Sequence, residues 1–471
     1  MTTEMNTRPS PHLSQDAARR RQGRQRTEVI FQTLGIGALV LAAALLVWLV
    51  WGIFDKARYG LTQHMMQVEV YLDPEPFDRL KNDDGSINWS KRKTRKDTFY
   101  REYLAQSVRD YLPGLTEDEA SEASILFSDA AAWKIRDGLR YGDYQLGDTI
   151  EIWALMDDVV DVWSKGVFPT EAVVAQSIYA PEAIELMQQL KEAGALQERL
   201  YLGFPRLNLE IWLPFVGVQS WEVSKGSPGF LTSPNSANPE MAGLGRAFQG
   251  TLLMLLVVIV VAVPLGVAAA VYLEEFAPKN RFTDLIEINI NNLAAVPSII
   301  FGVLGLGVLV NMLFPFARGY PIIGGLVLSF MTLPTVIIAS RAAILAVPSS
   351  YKEAAIGMGA SKMQAVFQHV LPAAIPGIVS GVIIGIAQAA GETAPLLPIG
   401  LKSFITSSCE KGLACLFEPG TAMPAQIFFW AENAERLFKY KANAAIIVLL
   451  IMILGLNAIA TYIRWRAEQR K

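Results

Sequence analysis

The chain has 471 residues, of which 52% are hydrophobic and 18% charged, with a positive mean hydropathy and a formal net charge of -3. That composition excludes an ordinary soluble protein, while the small net charge says little about the partners of a membrane protein. With no G-x-x-x-x-G-K-[ST] run and no His, Cys or carboxylate cluster at metal-ligand spacing, no ATP site and no metal site are expected in this chain.

Residues 1–28 are polar, basic and rich in Pro, Ser and Thr, and read as a disordered tail. No charge occurs between Glu28 and Asp55, and a bilayer core of about 30 Å needs about 20 apolar residues, so 29–54 reads as the first transmembrane helix. Its apolar run is longer than the core of a cleavable signal, and no small-x-small site follows Trp51 or Gly52. An uncleaved anchor is therefore expected, with Arg19, Arg20, Arg21, Arg24 and Arg26 holding the amino terminus in the cytoplasm.

Residues 55–245 form a long soluble segment, outside the cytoplasm by that topology, and large enough to bury its own core. Val68, Val70 and Leu72 alternate as in a strand, as do Ile150 with Ile152, and Leu207, Leu209, Ile211 with Leu213. Helical spacing appears at Tyr100, Leu104, Val108 and Tyr111, and at Ile184, Met187 and Leu190. A mixed α/β extracytoplasmic domain is expected. The basic run Lys91, Arg92, Lys93, Arg95 and Lys96 reads as a solvated face rather than a nucleic-acid site. Residues 227–239, rich in Pro, Ser and Asn, mark a linker back to the membrane.

Residues 246–471 then carry five further spans. Two are charge-free, from Arg246 to Glu274 and from Glu287 to Arg318. A fourth runs from about Pro321 to Val347 and holds Arg341; a fifth runs from about Ala373 to Gly400 and holds Glu392; the sixth lies between Lys441 and Arg464. The carboxyl terminus returns to the cytoplasm with Arg464, Arg466, Arg470 and Lys471. Against this topology stand Lys402, Lys411, Arg436, Lys439 and Lys441 in the outer loop. The same loop holds both cysteines, Cys409 and Cys415, which an oxidising compartment would join or which remain two free thiols.

Between spans four and five, Ser350 with Glu353 and Ser361 with Gln364 are capping-box patterns for two short helices, with Gly359 at the turn. Met363, Val366, Phe367 and Val370 form a stripe that must bury against the membrane domain or another protein. Gly377, Gly381 and Gly385 place small side chains on one face of span five, a packing signal toward a helix of this chain or of a second subunit. Arg341 and Glu392 are costly inside a bilayer unless they meet water or a partner, which makes them site candidates. Arg341 lies near enough to a helix end to snorkel instead. Their depths differ by over about 10 Å, so each is expected to meet a group of a second subunit rather than the other.

The loop 349–372 resembles the EAA loop of ABC importer permeases through Glu353-Ala354-Ala355, Gly359 and Leu371-Pro372. Val263-Pro264-Leu265-Gly266, Tyr272-Leu273-Glu274-Glu275, Val296-Pro297-Ser298-Ile299 and Gly391-Glu392-Thr393-Ala394-Pro395-Leu396 narrow the likeness to the phosphate permease subunits of the PstA family. The resemblance covers roughly residues 29–60 and 229–471. It implies a type I ABC importer permease fold, an α-helical polytopic inner-membrane protein with six transmembrane helices. It further implies a second homologous permease subunit, two ATP-binding cassette subunits that hold the ATP and magnesium, and an extracytoplasmic phosphate-binding protein.

In that picture Glu353, Ala354, Ala355, Gly359, Phe367, Leu371 and Pro372 couple to the ATPase, while Arg341, Gln388, Glu392 and Thr393 line the phosphate path. Some family members carry arginine at the positions of Ile338 and Gln388 and an acid at Arg341, so the contacts to phosphate differ here. Molybdate or sulfate permeases share the loop logic. A membrane-anchored sensor would carry cytoplasmic signalling sequence after the last span, whereas only eight residues follow Tyr462-Ile463, and an ion-coupled secondary transporter would carry more ionisable groups in its spans and a repeat between halves.

Overall fold

The computed structural model describes residues 15–82, 86–91, 93–167, 169–170, 181–201, 229–401, 404–407, 409 and 411–468. Residues 1–14 of the tail expected over 1–28, the strand expected from Leu207 to Leu213, Arg92, Lys402, Arg470 and Lys471 lie outside them; residues 15–28 of that tail are corrected to helix, because their Ala, Arg and Gln are good helix formers and run straight into the apolar segment.

The chain divides at residues 55 and 56 into two units. The first holds most of helix α1, Gln15–Leu61. Of its described side chains, all from Glu28 to Asp55 are exposed except Ile53. A helix that is apolar all round belongs in lipid, where its backbone groups are satisfied within the segment.

The second unit opens on the last six residues of α1 and passes into strand β1, Thr62–Tyr71, the centre of a three-stranded antiparallel sheet in the order β2-β1-β3, with β2 at Thr149–Leu155 and β3 at Gln197–Leu200. Val68 faces Ile152 and Val70 faces Ile150 across the ladder. Period-two alternation sends these four β-branched side chains to one buried face. Helices α2, Asp97–Tyr111, and α3, Asp129–Tyr141, together with α4, Pro181–Glu192, cover that core through Tyr100, Leu104, Val108, Ile135, Ile184, Met187 and Leu190. Tyr111 stays at the rim, its hydroxyl donating to the Gln67 carbonyl at 2.7 Å.

The membrane half follows. Helix α5, Gly245–Val271, runs into a π turn at Tyr272–Phe276. Helix α6, Arg281–Ala294, and helix α7, Ser298–Leu304, extended by a π segment to Leu313, meet at a bend of 103°. The uninterrupted third span expected from Glu287 to Arg318 is thus corrected to a broken pair. Pro297, at φ -55° and ψ 134°, has no N–H to carry a helix on from Val296 and opens a new one.

Helix α8, Pro321–Leu345, is the most enclosed span, and helix α9, Ser349–Gly357, leads to helix α10, Lys362–Ala365, the π turn Val366–Val370 and helix α11, Leu371–Gly391. Pro372 sits in the first turn of α11, where its missing N–H is tolerated, and the widened turn before it lets the chain continue as one apolar helix. The fifth span ends at Gly391 rather than Gly400, since Glu392 leaves the helix at φ -78° and ψ 123°. Helix α12, Met423–Glu432, and helix α13, Arg436–Glu468, complete the chain. Among the described residues five helices are long and apolar enough to cross a membrane, or six with the bent pair taken as one span.

Candidate functional site

The loop 349–372 has two helices and two faces. Ser361 caps α10 through a capping box with Gln364, and Gly359 turns the chain at φ +94°, a conformation that glycine adopts without strain. The Ser350–Glu353 box does not form: Pro348, with its fixed φ, serves as N-cap and the helix starts at Ser349, which puts Ser350 inside it. The apolar stripe is divided. Val366 and Val370 are 1% and 4% exposed in a core with Ala270, Val271, Ile344, Ala374 and Ile378, whereas Met363 is 62% exposed and Phe367 47%. Tyr351 and Met358 are also exposed, and they border a cleft of about 400 Å³ shared with Ser350, Ala354, Ala355 and His369.

Arg341 is engaged within this chain. Its Nε meets Glu274 Oε1 at 2.5 Å and its Nη2 meets Glu287 Oε1 at 2.9 Å. Glu274 lies on the π turn after α5 and Glu287 on α6, so two elements close on the guanidinium of a third. The next residue, Glu275, pairs with Lys352 of α9, and Lys362 of α10 stands 5.4 Å over the Phe276 ring. The partner expected for Arg341 in a second subunit is thus corrected to two carboxylates of this chain. Its signal was nonetheless present, in the adjacent acids of Tyr272-Leu273-Glu274-Glu275.

The glycine stripe of α11 faces α8. A Cβ at Gly377 would lie 2.7 Å from Ala343 Cβ, one at Gly381 2.2 Å from Ala339 Cβ, and one at Gly385 3.5 Å from Val336 Cγ2. Beyond the stripe the helix ends in polar groups. Gln388 is exposed and Glu392 and Thr393 are half-buried, and the Glu392 carboxylate makes no hydrogen bond or ion pair among the described residues. Uncompensated polar groups at the end of an apolar helix are costly unless water or another molecule meets them.

A second polar cluster was not legible in the sequence. Lys441 of α13 is wholly buried, and its ammonium donates to the carbonyls of Glu240 at 3.0 Å and Ala242 at 2.7 Å. The Glu240 carboxylate accepts from Ser128. Nearby, Asp161 pairs with Lys165 at 2.6 Å and His64 at 2.9 Å. Burial would raise the Asp161 carboxyl, but Lys165 and His64 hold it below its ordinary range. Burial, with Asp157 and Glu240 close by, pushes Asp158 up to about 8, and burial also raises Glu240. This cluster clasps the sheet-bearing segment to the start of α13. A disulfide joins Cys409 and Cys415, and Gln249 of α5 donates to the Cys409 carbonyl at 3.1 Å.

Comparison with known proteins gives two family matches. The model described as binding-protein-dependent transport system inner membrane component matches residues 262–470, and a domain of unknown function, DUF3333, matches residues 18–173. The chain is 31% identical over 254 residues to the probable ABC transporter permease protein YqgI of Bacillus subtilis, covering 52% of this chain and 84% of the relative. It is 30% identical over 230 residues to the phosphate transport system permease protein PstA of Yersinia pestis, covering 49% and 74%. It is 30% identical over 264 residues to phosphate transport system permease protein PstA 1 of Mycobacterium tuberculosis H37Rv, covering 55% and 83%.

Proposed function

The chain belongs to the family of binding-protein-dependent transport system inner membrane components, and from that membership we propose that the protein is the phosphate permease subunit of an ATP-driven importer. It pairs with a second homologous permease subunit, takes phosphate from an extracytoplasmic binding protein, and is driven by two ATPase subunits that grip the loop 349–372. Both termini and that loop lie in the cytoplasm, and residues 55–245 lie outside. The reading of phosphate is supported by the two PstA relatives, each a phosphate transport system permease protein.

The observation that carries the coupling role is the divided stripe of the loop, with Val366 and Val370 buried in this chain while Met363 and Phe367 are left uncovered beside Tyr351 and Met358. An apolar surface of that kind beside a tight turn suits a docking face. Glu353, Ala354, Ala355 and Gly359 complete it, with Leu371 and Pro372 leading into the span. For the path, the Gln388 amide and the Thr393 hydroxyl can donate to phosphate oxygens, and Glu392 can accept from a protonated phosphate or hold an arginine of the second subunit. Arg341 belongs to the inner end of the path, where Glu274 and Glu287 hold its charge.

Uptake of radiolabelled inorganic phosphate by the assembled transporter, with molybdate and sulfate as competitors, tests the substrate. Unlabelled phosphate is expected to compete while the other two leave uptake nearly unchanged. Transport of molybdate or sulfate with no phosphate uptake would assign the path to that oxyanion instead.

A further inference from the structure

We propose that the adjacent carboxylates Glu274 and Glu275 act as a two-armed strap, positioning the coupling loop against span two and handing its displacement to span four. This rests on the coupling role just proposed for the loop and adds the residues that convey its motion. One arm, Glu275, ends on Lys352 in the first loop helix; the other, Glu274, ends on Arg341 in span four, which Glu287 holds from the third side.

The two arms leave from one π turn, closed by the Ala277 amide donating to the Tyr272 carbonyl at 2.7 Å. The turn ends the helix, so both carboxylates leave from its last five residues, where the chain turns away from span two. Lys362 over the Phe276 ring ties the second loop helix to the same turn, so both loop helices are anchored within five residues of span two.

The strap is sheltered enough to hold. Glu274 and Glu275 are each 11% exposed. Charges so placed attract more strongly than surface pairs, and loss of one partner leaves the other uncompensated. Beneath the ion pairs, Val366 and Val370 pack on Val271 and Ile344, the ends of the same two spans. Apolar packing alone would let the loop slide over those ends. Two directed ion pairs from consecutive residues fix its register.

The test uses the whole transporter purified through a tag on this chain and reconstituted in proteoliposomes, with radiolabelled inorganic phosphate as the probe. Phosphate moved per ATP hydrolysed is compared for wild type, Lys352→Met, Glu275→Lys, and the charge swap Glu275→Lys with Lys352→Glu. The strap predicts that each single variant keeps its ATPase partner but loses roughly tenfold or more in that ratio, and that the swap restores most of it. An unchanged ratio overturns the proposal. So does a loss that only follows lost assembly and is not restored by the swap. Phe367→Asp run beside them reads the docking role separately: retention of the ATPase by that variant sinks the coupling reading, whatever the strap variants do.

Discussion

Arg341 Nη2 lies 2.9 Å from Glu287 Oε1, which binds the carboxyl-terminal part of span four to the first half of the broken third span. With Glu274 on its Nε, the guanidinium has two carboxylates from two elements and no need of a distant partner. Arg341→Gln leaves both acids uncompensated. A destabilisation of about 2 kcal/mol is expected, less than for a fully buried pair because Glu287 remains partly in contact with solvent. Thermal unfolding in detergent checks it, and Glu274→Gln added to Arg341→Gln should recover part of the loss.

The two faces of the loop 349–372 separate by mutation. Phe367→Asp and Met363→Asp change exposed positions, where effects on stability stay within about 0.5 kcal/mol, yet both should lose the ATPase on affinity purification. Val366→Asp puts a carboxylate into a closed core and should lower the melting temperature of the chain itself.

Of the three glycines in the stripe, Gly381 leaves the least room beside span four. A Cβ there would lie 2.2 Å from Ala339 Cβ, against 3.5 Å between Gly385 and Val336. Gly381→Leu is therefore expected to abolish the folded, detergent-stable protein, and Gly385→Ala to leave it within about 1 kcal/mol of wild type by chemical denaturation.

Glu392 has no partner among the described residues, so Glu392→Gln should leave unfolding unchanged while phosphate uptake falls by about tenfold, as for loss of one charged hydrogen bond. Wild-type uptake in that variant would remove Glu392 from the path.

Asp158 sets a pH dependence. Its carboxyl rises from 3.8 to about 8 in the fold, so between those values the folded state binds the proton that the unfolded state releases. Its contribution is present below about pH 4 and is lost as pH rises toward 8, with a slope of at most about 1.4 kcal/mol per pH unit. Asp161, shifted the opposite way, contributes stability that is lost as pH falls below the ordinary carboxylate range. Melting curves of wild type and Asp158→Asn at pH 5 and pH 8 should show the variant gaining on wild type at the higher pH.

Much of this was readable because local chemistry decided it. Alternation at Val68, Val70, Ile150 and Ile152 fixes which faces of two strands meet, and the helical spacing of Tyr100, Leu104 and Val108 says what covers them. Gly359 and Ser361 carry their own backbone instructions. The break in span three was written in Val296-Pro297, but a window that counts charges sees only an uninterrupted apolar run. The partners of Arg341 escaped because ion pairs between distant segments leave no periodicity. Lys441 is the sharpest case. Counted as an outer-loop cation, it weighs against the expected topology, whereas the fold buries it on two carbonyls; Lys411, another of that group, pairs with Glu418 at 2.8 Å.

The most direct measurement is phosphate uptake into proteoliposomes that hold the membrane pair with or without its ATPase subunits, with ATP supplied on one face at a time. Uptake is expected only with the ATPase present and with ATP on the face that carries the loop 349–372. Uptake by the membrane pair alone, or uptake driven by ATP on the opposite face, would contradict it.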